Sequence, residues 1–195
     1  QKRYSKTTAL VLCGIFAALM AICSFITIPL GFTPVPINLA TLGVFLTGGI
    51  LGKKYGSISL IVYILLGAVG VPVFAGFKGG LGVLAGPTGG YIIGYLAAAF
   101  LTGLLVELVF TKTGTDSGQR SAKSSTSRFI GIILAMIAGL AACYALGTAW
   151  FMISTGTGLG AALISCVIPF LPGDAAKIIV GALLVQKLRP AIPIR

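Results

Sequence analysis

The chain has 195 residues, of which 57% are hydrophobic and 9% are charged, with a net charge of +11 at pH 7. A soluble domain of this size carries about a quarter charged residues, so the composition argues against a water-soluble fold. The chain contains no histidine and only three acids, Glu107, Asp116 and Asp174, which argues against histidine-ligated metals and paired-carboxylate catalysis. We therefore expect a membrane protein that is not an enzyme.

Apolar runs recur along the whole chain, each near the roughly 20 residues that cross a bilayer as a helix. In chain order they predict six crossings: 9–28, 37–51, 57–75, 91–110, 129–151 and a last one that ends at Val185. The first run lacks a cleavage pattern before it and is expected to be a retained helix. The prediction is an all-α integral membrane protein with a single six-helix domain over residues 1–195.

Twelve of the fourteen basic residues fall in segments that lie on one side of the membrane if the chain crosses it six times. The positive-inside rule then predicts that the N and C termini are both cytoplasmic. The Ser/Thr-rich segment 111–128 is predicted to be a flexible cytoplasmic loop. Because the charge follows topology, it gives little support to nucleic-acid binding. Only Lys78 and Lys177 fall outside this pattern.

Small residues recur at four-residue spacing along three predicted spans, which allows neighbouring helices to approach closely. The three stripes are Ala9, Cys13, Ala17 and Ala21; Gly86, Gly90, Gly94 and Ala98; and Gly131, Ala135, Gly139, Cys143 and Gly147. Most are expected to pack inside the domain. The stripe on the first span is the best candidate for docking a separate membrane subunit.

The last predicted span carries a carboxylate and an ammonium, Asp174 and Lys177, one helical turn apart. Asp174 precedes the cytoplasmic anchor Lys187 by 13 residues, roughly 20 Å of helix, in a hydrocarbon core about 30 Å thick. Both charges are thus expected at membrane depth. The apolar segment 157–173, with two prolines, predicts a re-entrant or broken segment before the last helix.

A charge at that depth costs about 2.5–3.5 kcal/mol, so the pair needs a physical reason. One reason is mutual neutralisation, since residues i and i+3 of a helix face the same way. The other is a ligand: a helix start stabilises Asp174 but disfavours Lys177, which an anionic or carbonyl-bearing group would relieve. We expect a ligand site and keep the structural pair as the alternative.

A second candidate for ligand contact is the segment 76–91, which holds seven glycines among sixteen residues and joins two spans on the outer side. Its backbone N–H groups could approach a ligand closely, although the glycines are as well explained by turns and packing. The P-loop pattern GxxxxGK[ST] is absent, which argues against ATP hydrolysis by this chain. The outer connection 29–38 is predicted to form a lid, with Asn38 as a polar contact. The candidate ligand residues of both segments are Asn38, Gly80, Gly86, Thr88, Gly89, Gly90 and Tyr91.

The motifs "GPTGGY" at 86–91 and "PGDAAK" at 172–177, in a six-span chain of about 20 kDa, resemble the BioY family. BioY proteins are the biotin-specific S components of energy-coupling factor (ECF) transporters. The resemblance covers essentially the whole chain. It implies a multi-pass protein of the bacterial plasma membrane that binds biotin from outside and needs no cofactor of its own.

The resemblance also implies partners, namely a transmembrane coupling subunit and two ABC-type ATPases that use ATP. In related S components an AxxxA face of the first helix contacts the coupling subunit, and Ala17 and Ala21 occupy that pattern here. For biotin we expect Asp174 to accept from a ureido N–H, while Lys177 donates to the ureido carbonyl or binds the carboxylate. The residues leave the orientation open.

The chief alternative is a stand-alone carrier or channel with Asp174 as a proton-relay group and Lys177 as its counter-ion. That alternative predicts pH-dependent flux without an ATPase partner. An S component instead predicts tight binding and ATP-dependent uptake.

Overall fold

The computed structural model describes residues 6–112 and 122–192, and most of these are helical. The elements in chain order are α1 (Lys6–Phe25), β1 (Thr27–Ile28), β2 (Ile37–Asn38), α2 (Ala40–Ala68), α3 (Leu81–Ala85), α4 (Gly89–Lys112), α5 (Ala122–Thr155), α6 (Leu159–Cys166) and α7 (Leu171–Leu188). Two 3₁₀ turns, Ile168–Phe170 and Arg189–Ala191, flank α7. The two short strands pair antiparallel, with Thr27 opposite Asn38.

Within the described ranges, five helical segments are long and apolar enough to cross a membrane: Lys6–Phe25, Ala40–Ala68, Gly89–Lys112, Ser125–Thr155 and Leu159–Ala191. Their outer surfaces carry large apolar side chains, for example Leu10, Phe100 and Leu134. Apolar surface of this extent is stable when lipid rather than water surrounds it. The protein is a multi-pass helical membrane protein.

Helix α2 is bent back on itself at Gly52, whose φ of 78° and ψ of 179° are not helical. A Cβ added to Gly56 would lie 3.1 Å from the carbonyl oxygen of Thr47. In a straight helix residues 47 and 56 would be roughly 13 Å apart along the axis. The two arms of α2, 40–51 and 53–68, therefore run side by side. The second arm ends at Ala68, earlier than the predicted 57–75 span, because Gly70 at φ 105° begins a loop.

The small-residue stripes of α4 and α5, each predicted to pack against another helix, face each other. A Cβ on Gly94 would lie 3.1 Å from the backbone of Cys143, and one on Gly139 would lie 2.9 Å from the carbonyl oxygen of Ala98. Real Cβ atoms rarely come so close, so these glycines allow the two helix backbones to approach. Packing inside the domain is confirmed for these stripes.

Helices extend into both ends of the predicted 111–128 loop. Helix α4 continues to Lys112 and α5 begins at Ala122, while residues 113–121 lie outside the described residues. The predicted break before the last helix is confirmed: α6 ends at Cys166, Val167 leaves helical geometry, and α7 starts after a 3₁₀ turn. Pro172 sits in the first turn of α7, where its missing N–H costs nothing.

The buried side chains form two clusters, one at each end of the bundle. One is rich in tyrosine and phenylalanine, including Tyr63, Phe74 and Tyr91, and surrounds a cavity. The other is mainly aliphatic, with Val106, Ile132 and Val185 fully buried. The aromatic end holds the candidate site.

Candidate functional site

A cavity of about 510 Å³ lies at the aromatic end of the bundle. Small-molecule sites usually measure roughly 300–1,000 Å³, so the space suits one small ligand. Its wall is built from the ends of α1 and α6, the connections 29–38 and 74–78, the start of α4 and the inward faces of α2, α5 and α7. Most of that wall is apolar or aromatic, which favours a ligand with apolar rings or chains.

The polar floor of the cavity is centred on Asp174. Its Oδ1 accepts a hydrogen bond from Lys177 Nζ at 2.9 Å and another from Thr41 Oγ1 at 2.9 Å. Its Oδ2 accepts from the hydroxyl of Tyr144. Lys177 Nζ also donates to Thr41 Oγ1 at 3.1 Å. The four side chains form one connected polar cluster that lines the cavity.

Three helices bring this cluster together. Asp174 lies in the first turn of α7, and Lys177 follows at i+3 on the same helix face. Thr41 stands in the first turn of α2, and Tyr144 comes from the middle of α5. Both charged residues are buried, so the ion pair is largely removed from solvent. Each partner neutralises the other, and Lys177 still has an N–H that can turn toward the cavity.

The connection between β1 and β2, predicted to be a lid, lines one side of the cavity. Pro29, Pro34 and Pro36 line the space and stiffen the segment. The hydroxyl of Thr33 accepts the Val35 N–H at 3.2 Å and holds the turn. Asn38 also lines the cavity.

Asn38 helps to start α2, since its Oδ1 accepts the Ala40 N–H at 3.0 Å. Its side chain also hydrogen-bonds with Tyr95, another residue that lines the cavity. Asn38 thus borders the cavity with a side chain that is already engaged by the protein.

The GPTGGY segment contributes two side chains to the cavity wall, Thr88 and Tyr91. The Tyr91 hydroxyl pairs with Thr148 Oγ1 at 3.1 Å, so the ring is held rigidly while one face borders the cavity. Thr88 supplies the carbonyl that accepts the Tyr91 N–H at 3.1 Å in the opening turn of α4.

The four glycines predicted to contact a ligand are not among the described residues that line the cavity. They are Gly80, Gly86, Gly89 and Gly90. The N–H of Gly80 donates to the Gly67 carbonyl at 2.7 Å, and the Gly86 carbonyl accepts the Trp150 indole N–H at 3.0 Å. A Cβ on Gly89 would overlap the Leu84 backbone, and one on Gly90 would overlap Trp150. The structure gives these glycines turn and packing roles, and their contact with a ligand stays a prediction.

The predicted partner contacts Ala17 and Ala21 lie on the inner face of α1. They are only 4% and 9% exposed and belong to the aromatic-end core. The small residues on the outer face are Gly14 and Ala18, and a Cβ on Gly14 would meet nothing within 4 Å. The exposed small residues of α1 therefore lie on a different face of the helix from the predicted pair.

Sequence reasoning missed Thr41 and Tyr144. Both are polar residues in apolar helices, which is the signal that could have drawn attention to them. The signal is weak because threonine bonds its own helix backbone, as Thr47 does to the Gly43 carbonyl at 2.7 Å. Only the packing of α2, α5 and α7 shows that these two hydroxyls meet Asp174.

Comparisons with known proteins agree on one family. A sequence model of the BioY family matches residues 1–194. The "Biotin transporter BioY" of Thermotoga maritima is 39% identical over 181 residues, 92% of this chain and 95% of that protein. The "Biotin transporter BioY" of Rhizobium etli is 36% identical, with 96% of each chain covered.

The fold is also similar to a solved structure. That structure is described as the S-component for biotin from an ECF-type ABC transporter, determined at 2.1 Å. It superposes with a TM-score of 0.79 at 32% identity, covering 95% of this chain and 92% of that chain.

Proposed function

Since the chain belongs to the BioY family, we propose that it is the membrane subunit that captures biotin from outside the cell with high affinity. Biotin then enters the cell by ATP-driven import, for which partner subunits supply the energy. The observation that carries this proposal is the cavity whose floor is the buried Asp174–Lys177 pair. The protein acts as a transport subunit of the bacterial plasma membrane and performs no chemistry on its ligand.

The chemistry of biotin matches the cavity. Its fused rings and valeryl chain suit the aromatic and aliphatic wall, and its ureido group offers two N–H donors and one carbonyl acceptor. Asp174 accepts from a ureido N–H, and Lys177 donates to the ureido carbonyl. Asn38, Thr88 and Tyr91 border the rest of the molecule. A buried polar group left without a partner costs about 1–3 kcal/mol, which favours biotin over analogues that lack the ureido group.

For topology we propose six crossings with both termini in the cytoplasm, the two arms of α2 counting as separate crossings. The side-by-side arms at Gly52 support this count. Contacts at the aliphatic end support the orientation: Lys53 pairs with Glu107, and the guanidinium groups of Arg128 and Arg189 both lie over the Phe110 ring. Basic residues gathered at one end are typical of the cytoplasmic side.

For partners we propose a transmembrane coupling subunit and two ABC-type ATPases. The coupling subunit packs on the outer face of α1 around Gly14 and Ala18, where small residues let another helix approach. In a cell that produces the partners, Ala18→Leu should prevent their co-purification with this chain while biotin binding persists. Ala141→Leu, the same change on an exposed position of α5, is the matched control. Equal co-purification of both variants would contradict this docking face.

Titration of biotin into the purified protein tests the function itself. Asp174→Asn and Lys177→Ala should each weaken binding at least tenfold, because each removes a charged hydrogen-bond partner from the cavity floor (about 1.5–3 kcal/mol). Lys53→Ala removes an exposed charge at the other end and should leave the affinity unchanged. Wild-type protein that binds no biotin would overturn the proposal, and unchanged affinity in both variants would remove the pair from the site.

A further inference from the structure

A second cation borders the cavity, at its outer rim. Lys78 lies in the loop between α2 and α3, lines the cavity and is exposed to solvent. The described carboxylates are Glu107, which pairs with Lys53 at the opposite end, and Asp174, which pairs with Lys177. Within the described chain, the rim ammonium is thus the cavity charge that lacks a carboxylate partner of its own.

The loop holds Lys78 in place from both sides. The Phe74 N–H donates to the Lys78 carbonyl at 2.9 Å and closes a tight turn. Phe74 is fully buried and meets the Tyr63 ring edge-on at 5.5 Å, while the Phe77 ring stacks on Phe25 at 4.4 Å. Phe77 has a φ of 57°, and both it and the neighbouring Lys78 line the cavity. Lys78 therefore projects from a fixed turn rather than from a loose loop.

The two cations lie at different depths. The floor cluster is level with Tyr144, which precedes the end of α5 at Thr155 by 11 residues, roughly 16 Å of helix. Lys78 lies in the loop that follows the end of α2 at Ala68, and its side chain is exposed rather than buried. The cavity thus has a neutral ion pair at its floor and a positive charge at its mouth, with apolar wall between them.

We propose that Lys78 recognises the carboxylate of the ligand, so that an amphipathic carboxylic acid binds with its anionic end outward and its neutral polar head on Asp174 and Lys177. This inference rests on the proposed function and names the orientation of biotin in the site. A carboxylate at the floor would add a net charge to a pair that is already neutral, at a high desolvation cost. At the mouth the ligand carboxylate keeps part of its hydration and lies near the Lys78 ammonium. The same positive charge steers the anion into the cavity.

The test compares biotin with its uncharged methyl ester on the purified full chain. Wild-type protein should bind the acid more tightly than the ester. In Lys78→Gln the acid should bind about three- to tenfold more weakly and the ester unchanged, so that the preference disappears. Lys78→Arg should retain the preference, and Lys54→Gln, an exposed lysine at the other end, should leave both affinities as in wild type. The association rate for biotin should fall with added salt in wild type and respond less in Lys78→Gln.

The outcomes separate the two proposals. Wild-type protein that binds neither compound overturns both the function and the role of Lys78. Biotin binding with the same acid-to-ester ratio in wild type and Lys78→Gln leaves the function standing and overturns the role of Lys78. Loss of affinity for acid and ester alike in Lys78→Gln also overturns it, since that result reports a damaged cavity rather than carboxylate recognition.

Discussion

Among the residues that the structure describes, one carboxylate–ammonium pair lies at each end of the bundle, and the two pairs differ in distance and in exposure. Lys177 and Asp174 approach to 2.9 Å with side chains only 10% and 3% exposed. Lys53 and Glu107 are 3.8 Å apart with side chains 46% and 34% exposed. Water and headgroups screen the second pair, whereas the first has replaced its hydration with protein donors and acceptors.

The difference bears on which pair belongs to the proposed site. Glu107 has a structural task, since its Oε1 accepts the Lys53 N–H at 3.0 Å beside the bend of α2. Asp174 and Lys177 lie one turn apart on α7, and their hydrogen bonds to Thr41 and Tyr144 link that helix to α2 and α5 at the cavity floor. A buried pair is weak support for stability, and breaking one side of it is costly. Its position on the cavity floor supports its place in the proposed biotin site.

The largest expected effect comes from breaking the buried pair. Lys177→Met keeps the apolar stem but leaves Asp174 as an uncompensated charge, and should lower the free energy of unfolding by about 3–5 kcal/mol. Unfolding of the purified protein in detergent, followed by circular dichroism, measures the change. If the loss is below 1 kcal/mol, solvent reaches the pair and the floor is not dry.

A smaller effect is expected from Tyr144→Phe, which removes one donor to Asp174 and retains the ring. The carboxylate loses one of its three described hydrogen bonds, so the free energy of unfolding should fall by about 1–3 kcal/mol. Tyr55→Phe, at the other end of the bundle, is the matched control and should cost less. Equal losses would mean that the Tyr144 hydroxyl contributes nothing specific to the cluster.

The smallest effect is expected at the exposed pair. Lys53→Met is the same substitution as Lys177→Met, and an exposed ion pair contributes only about 0–1 kcal/mol. The same unfolding measurement applies. A cost equal to that of Lys177→Met would remove the distinction between the two ends.

Several features of the structure could be predicted from the sequence for physical reasons. Apolar runs reveal membrane helices because the bilayer demands length and hydrophobicity, and two charges within such a run are conspicuous. The break before α7 followed from the two prolines and the depth of Asp174. Small residues at four-residue spacing predicted close helix packing inside the domain, and the structure shows such packing between α4 and α5.

Other features could not be predicted from the sequence. Thr41 and Tyr144 look like ordinary helix residues until three helices place them on one carboxylate. The face of α1 that carries Ala17 and Ala21 points inward because those side chains join the aromatic-end core, and spacing alone does not say which small-residue face a neighbouring helix covers. The same holds for the glycines at 80–90, which act as turns and contacts here.

Composition and order along the chain thus dictate that the protein lies in a membrane, where its helices run, and that Asp174 and Lys177 need a partner. These are local or one-dimensional properties, set by solvent and by helical periodicity. Which hydroxyls join the pair, how large the cavity is and where Lys78 lies depend on contacts between different elements, such as Thr41 with Asp174, 133 positions apart, and Tyr144 with Asp174, 30 positions apart. Such contacts arise only when helices pack, because packing selects one relative position among many that the individual helices would accept.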